Sequence, residues 1–162
     1  MKRIHLIRHA KSSWDDPDLP DRLRTLNARG KNACQIMATK LEGVCDFSHV
    51  FCSSARRAQQ TIEEIFSHLV GPKCHWSCEP NLYTFDSDDL FAWLKEMDDD
   101  VQSVLLIGHN PAFTDFCNKI SDANIPNIPT CGYVQLEYHL NSWFDIKANC
   151  AELIECIKPK DT

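Results

Sequence analysis

Ser103-Val104-Leu105-Leu106-Ile107-Gly108-His109-Asn110-Pro111 decides how this chain is read. Ser103 to Ile107 is a near-continuous apolar run of the kind that parallel sheets bury on both faces. Asn110 then suits a helix N-cap and Pro111 a first helical turn, so the stretch predicts a strand running into a helix with His109 at the break. The same pattern stands upstream. Residues 3–7 read as a short buried strand that stops at Arg8-His9. His49 to Cys52 reads as another, followed past Ser53-Ser54 by Arg56-Arg57 and a helix. Three apolar runs therefore end at cationic or potentially cationic residues.

Working outward, about 20 residues of polar, turn-rich loop follow the first strand, a length usually reserved for function. A helix opens near Asn27 or Ala28, its stripe given by Ala33, Met37 and Leu41, flanked by Ile36 and Val44. Ala58, Ile62, Ile65 and Leu69 mark the buried face of the second helix, and Cys74 to Cys78 a weaker third strand. Asp86 or Ser87 caps a third helix with Leu90, Leu94 and Met97 inward. Gly132 to His139 and Ala151 to Ile157 alternate as two more strands around an Asn141-Ser142 turn. Strands alternating with helices predict a three-layer α/β/α fold.

The 162 residues carry no internal repeat or linker and read as one domain, 1–162. A net charge of −6 gives no basic field for nucleic acid or an acidic membrane, so any anion site must be built locally. No apolar stretch approaches the roughly 20 residues of a membrane helix. Nine cysteines, an odd number with no secretory segment before them, predict reduced thiols in a cytoplasm.

In an open α/β sheet the carboxyl ends of parallel strands line one crevice, where helix N-termini offer unpaired N–H groups. Arg8-His9, Arg56-Arg57 and His109 can converge there on phosphate. Two guanidiniums offer bidentate forks to its oxygens, and a neutral imidazole can attack phosphorus, with no metal or other cofactor required.

These residues resemble a known family. Leu6-Ile7-Arg8-His9-Ala10-Lys11-Ser12-Ser13-Trp14 is similar to the signature of the histidine phosphatase superfamily, in the variant with Ala after Arg-His found in SixA-type phosphohistidine phosphatases. Arg24 to Gly30, Ser53 to Thr61 and Leu105 to Pro111 resemble three further motifs in the same order, over about residues 2 to 115. The resemblance implies a phosphoglycerate mutase-like fold, its mostly parallel sheet carrying an antiparallel edge. It makes His9 the nucleophile, Arg8 and Arg57 the phosphoryl clamps, and His109 a group that stabilises or protonates phosphoryl oxygens. Asn110, through nearby backbone N–H groups, and Ser12 are further substrate-binding candidates. Thr25 and Ser54 stand where proline is frequent. Many relatives place a Glu shortly after the third strand, whereas this chain reads Asn81-Leu82-Tyr83-Thr84-Phe85-Asp86, leaving Asp86 and Asp88 as weaker acid candidates.

The missing Glu tilts the reading toward phosphohistidine, whose labile P–N bond needs less acid assistance than an alkyl phosphate. Little chain remains to build a lid, so the pocket should be shallow and admit a phosphorylated protein; the resemblance suggests a histidine phosphotransfer domain. A small-molecule phosphomonoesterase of the same superfamily and a non-catalytic phosphate-recognition module are the alternatives. Cys74-His75 with Cys78 lacks the second cysteine pair of a zinc ribbon. Cys52, five residues before Arg57, has no intervening Gly for a thiol phosphatase loop. The acidic clusters near Asp88 and Asp98 read as solvated helix ends. Trp14 is a loop anchor or a partner contact.

Overall fold

Described over residues 1–71 and 74–160 by a computed structural model, the chain forms strands β1 (Lys2–Arg8), β2 (Val50–Cys52), β3 (Trp76–Cys78), β4 (Ser103–Gly108), β5 (Tyr133–Tyr138) and β6 (Ala151–Ile157). Helices α1 (Ala28–Leu41), α2 (Arg56–His68), α3 (Ser87–Lys95) and α4 (Ala112–Ile120) alternate with the first five strands. The sheet order is β3-β2-β4-β1-β5-β6. β1 to β4 pair in parallel, while β5 pairs antiparallel with both β1 and β6.

Period-two alternation distributes the central strands between two cores. Ile4, Leu6, Val104 and Leu106 pack with Leu90 and Leu94 of α3 and Phe113 and Phe116 of α4. Ile7, Leu105 and Ile107 pack instead with Met37 and Leu41 of α1 and Ile62 and Ile65 of α2. Helices thus cover both faces, and every residue of β4 is buried, as its unbroken apolar run requires. Each such side chain contributes roughly 1.5–3 kcal/mol of burial.

Several boundaries differ from the sequence reading. Asn27 caps α1 by accepting from the Gly30 N–H at 2.8 Å, but Ile36 is exposed and Val44 lies beyond the helix, exposed as well. Cys34 and Ala38 fill the buried stripe in their place. α4 begins at Ala112, two residues beyond Asn110; the Asn110–Pro111 peptide is cis, and the Asn110 amide oxygen accepts from the Thr114 N–H within the first turn. β5 and β6 pair as expected, yet their link is no tight turn. It contains a 3-10 turn, Trp143–Asp145, whose buried indole donates to the Val101 carbonyl at 2.8 Å.

Gly30 is where the fold fixes the loop after β1. A Cβ there would stand 2.2 Å from the Lys11 carbonyl oxygen, a backbone atom that cannot swing aside. Gly30→Ala should cost about 1–3 kcal/mol through overpacking. The check is the urea midpoint; an unchanged midpoint would contradict the close approach.

Candidate active site

Strand register alone brings the first histidine to the second. Arg8 pairs with Gly108, and the His9 N–H continues the ladder to the Gly108 carbonyl at 3.0 Å, so His9 and His109 emerge side by side from adjacent strand ends. Their ring centroids are 5.2 Å apart. On the other side of β4, the Ser53 N–H donates to the Ile107 carbonyl, which delivers Ser53 and the start of α2 to the same edge. Arg57, in the first turn of α2, is 2% exposed and reaches back to His9, its Nε 3.4 Å from His9 Nε2. Thr61 locks this arrangement: its hydroxyl donates to the Arg57 carbonyl at 2.7 Å and accepts from the Ala10 N–H at 2.9 Å. The structure therefore gathers Arg8, His9, Arg57 and His109 at one edge of the sheet.

The hydrogen bonds assign the His9 tautomer. His9 Nδ1 is 2.8 Å from the Ala10 carbonyl, which can only accept, so Nδ1 carries the proton and Nε2 keeps its lone pair. Ser53 Oγ accepts from the Ala55 N–H and lies 2.8 Å from His109 Nε2. When the Ser53 hydroxyl donates to Nε2, His109 Nδ1 becomes a donor. That Nδ1 and Arg8 Nε are the two buried side-chain polar atoms without a partner among the described residues. An unpaired buried donor costs about 1–3 kcal/mol, a cost that an anion in the site would remove.

Electrostatics keep both rings neutral. Burial lowers the His9 pKa to about 4 despite the Ala10 hydrogen bond, with Arg57, Arg8 and Arg24 adding to the fall. Burial, then His9 and Arg57, lowers His109 to about 3. His5, buried within β1 between Tyr133 Oη at 2.7 Å and Ser103 Oγ at 3.0 Å, is lowered by burial to about 4. Unfolding restores values near 6.5. Between about 6.5 and 4 the unfolded chain binds more protons, so stability falls as pH falls through that window. Urea midpoints should drop markedly from pH 7.5 to pH 5, by about 2 kcal/mol for each histidine. A flat profile would show that these rings are not held neutral.

The structure adds residues that the sequence did not single out. Asp21, on a 3-10 turn within the long loop, accepts from Arg57 Nη2 at 3.0 Å through its carboxylate and from Nη1 at 2.8 Å through its carbonyl. Tyr83 Oη and Arg24 Nε donate to the same carboxylate. Burial pushes this carboxyl up, but the hydrogen bonds from Tyr83 and Arg57 win and hold it at about 2, so it is a poor proton donor. Tyr83 and Phe85 stand against the His109 ring, centroids 5.3 and 5.5 Å away. Asp86 caps α3 by accepting from the Asp88 N–H, and Asp88 lies 3.7 Å from Lys119, so neither carboxylate serves the histidines.

The side chains of the two further candidates, Asn110 and Ser12, are engaged with neighbouring residues. The Asn110 side chain donates to Asn127 Oδ1 and to the Ile128 carbonyl, and that carbonyl accepts from Arg8 Nη1 at 2.8 Å. Asn110 thus buttresses Arg8 through the 127–131 loop. Ser12 Oγ accepts from Arg24 Nη1 at 2.8 Å. Arg24 in turn stacks on Trp14 at 3.6 Å, yet that ring stays 73% exposed. Arg56 turns outward to Gln59 and Glu63. Cys52 is buried in β2 and burial drives its thiol pKa far upward. Among the described residues no group of three or more His, Cys, Asp or Glu is placed to hold a metal ion, and no helix is long and apolar enough to cross a membrane.

Comparison with known proteins follows the same lines. The family model of the histidine phosphatase superfamily (branch 1) matches residues 4–84, half of the chain. An uncharacterized chloroplastic protein of Arabidopsis thaliana is 26% identical over 151 residues, covering 88% of this chain and 69% of the relative. The structure of the protein histidine phosphatase SixA complexed with tungstate matches with a TM-score of 0.78 at 22% identity, over 97% of each chain. A structure assigned as phosphohistidine phosphatase SixA from Nakamurella multipartitia gives 0.80 at 22% identity, over 98% of this chain and 96% of that one. These structural likenesses establish a shared α/β fold of the phosphoglycerate mutase-like type.

Proposed function

Because the chain belongs to the histidine phosphatase superfamily, we propose that it is a SixA-type enzyme that hydrolyses phosphohistidine on another protein through a phospho-His9 intermediate. One observation carries this reading: a proton-free His9 Nε2, faced by Arg57 Nε, sits in a site where Arg8 Nε is a buried donor without a partner and the buried His109 Nδ1 has none either among the described residues. A recognition module would need the donors but not the bare nucleophile.

In the first step His9 Nε2 attacks phosphorus, a new N–P bond forms, and the P–N bond of the substrate breaks. The departing imidazole takes its proton from solvent. Arg8, Arg57 and the His109 N–H stabilise the charge that spreads over the three equatorial oxygens. In the second step water attacks phosphorus, the His9–phosphorus bond breaks, and inorganic phosphate leaves with the proton that water gives up. The aromatic wall of Tyr83 and Phe85 supplies no carboxylic acid, which suits a leaving group that needs little protonation. The rim is open: Asp21 and Phe85 are about half exposed, leaving room for a phosphorylated side chain on a folded partner.

The test is a substrate panel with quenched-flow trapping. A phosphohistidine protein should yield free phosphate and an acid-labile, base-stable phosphoenzyme, while alkyl phosphomonoesters turn over far more slowly. Efficient hydrolysis of a small phosphate ester with none from phosphohistidine would move the protein to the small-molecule phosphatases of the same superfamily.

A further inference from the structure

A second, strongly cationic cavity adjoins the phosphoryl site. It has a volume of about 450 Å³ and is lined by Arg8, Lys11, Arg29, Lys158 and Lys160, with Ala33, Asn127, Pro129, Thr130 and Pro159 completing the wall. Among the described residues no carboxylate contributes to that lining, although the chain as a whole carries a net charge of −6. Four segments distant in sequence build it: the turn after β1, the start of α1, the 127–130 loop and the stretch after β6. Clustering Arg8, Lys11, Arg29 and Lys160 around one hollow raises a positive potential that an entering anion would lower.

Arg8 belongs to both places. Its Nη1 is fixed by the Ile128 carbonyl, and it stands between His9 and the cationic cavity. Through Arg8, a ligand whose phosphoryl group meets His9 has a second anionic group within reach of this cavity. The mechanism above uses none of Lys11, Arg29, Lys158 or Lys160.

We propose that this cavity is a docking subsite for acidic side chains, Asp or Glu, that neighbour the phosphohistidine on the substrate protein. The proposal rests on the phosphohistidine reading for its occupant, and it adds a specificity determinant that lies outside the reacting atoms. Side-chain carboxylates fit a cavity of this size and meet guanidinium and ammonium donors around it. Exposed pairs of this kind set partner choice and association rate more than raw affinity, and they weaken with salt.

The test separates binding from chemistry. A fluorescent, unphosphorylated peptide bearing three Glu residues is titrated against the full chain at low salt, beside its Gln counterpart. Arg29 and Lys160 are both exposed, so the Arg29→Glu/Lys160→Glu variant should fold, and Arg29→Gln/Lys160→Gln provides a milder step. The Glu peptide should bind wild type in preference to the Gln peptide, and the charge-reversed variant should weaken it about tenfold. The neutral variant should fall between, while hydrolysis of phosphoramidate is unchanged in both. Equal binding of the Glu and Gln peptides would overturn the proposal. So would an unaltered Glu-peptide affinity in the reversed variant, a parallel loss of phosphoramidate hydrolysis, or much tighter binding of inorganic tripolyphosphate than of the Glu peptide. Because peptide binding is read without turnover, a failed phosphohistidine assay beside intact Glu-peptide binding counts against the catalytic reading and leaves the docking subsite standing.

Discussion

His9→Ala should abolish turnover, lowering kcat by about 10⁴-fold or more, and should remove the trapped phosphoenzyme altogether. No neighbouring group can take over. His109 Nε2 is committed to Ser53, and its Nδ1 carries a proton when the Ser53 hydroxyl donates. The Cys52 thiol is buried with its pKa raised by burial, so it stays protonated near neutrality. Cys52→Ser should accordingly keep most of the activity. Stability gives an independent control. His9 is an imidazole held neutral by burial and by Arg57, with its pKa at about 4, and functional sites of this kind are commonly purchased at the expense of stability. His9→Ala should therefore leave the urea midpoint within error of wild type at pH 7.5 and diminish its fall toward pH 5. A variant that lost activity and unfolded together would say nothing about nucleophilicity; loss of phosphoenzyme in a folded variant speaks directly to it. Retained turnover in His9→Ala would end the covalent mechanism.

The parts of the site that strand register builds were legible in the chain. The runs ending at Arg8-His9 and Ile107-Gly108-His109 are buried on both faces, and adjacent parallel strands in register place their next residues together. A strand leading into a helix N-terminus marks the Arg56-Arg57 pair, and the motif resemblance singles out Arg57 within it. What escaped notice depends on contacts between segments with no common periodicity. Asp21 lies 36 residues from Arg57 and 62 from Tyr83, and nothing in Asp21-Arg22-Leu23-Arg24 marks one carboxylate as the partner of three side chains. Ser53 was passed over because a serine after a strand usually reads as turn chemistry; its bond to His109 exists only because β2 pairs with β4. Asn110 caps the first turn of α4 through Thr114, and its further bond to the 127–131 loop is fixed by tertiary packing that no local pattern marks.

Arg57→Ala should lower kcat/KM by about 10²–10³-fold, the loss expected when one preorganised donor to a developing oxyanion is removed. Arg57→Lys should recover little, because a single ammonium cannot hold Asp21 at two points and face His9 and a phosphoryl oxygen at once. A purely structural account of Arg57 makes a different forecast. If its task were to pin the 3-10 turn of Asp21, then Asp21→Asn should lose as much activity as Arg57→Ala. Energetics argue otherwise. Asp21 is held at about 2, so its contribution to stability is present above the ordinary carboxylate range and lost as pH falls toward 2. Its carboxylate is 45% exposed, however, and solvent screening leaves that contribution below about 1 kcal/mol. Asp21→Asn keeps the Tyr83 contact and the carbonyl that receives Arg57 Nη1, so its activity should stay within about tenfold of wild type. The decisive comparison is the double variant. When Arg57 acts on the phosphoryl group, Asp21→Asn adds almost nothing once Arg57 is gone, because the carboxylate has lost the partner through which it influenced the site. Equal losses in both single variants would instead make Arg57 a scaffold and leave Arg8 as the sole guanidinium serving phosphate.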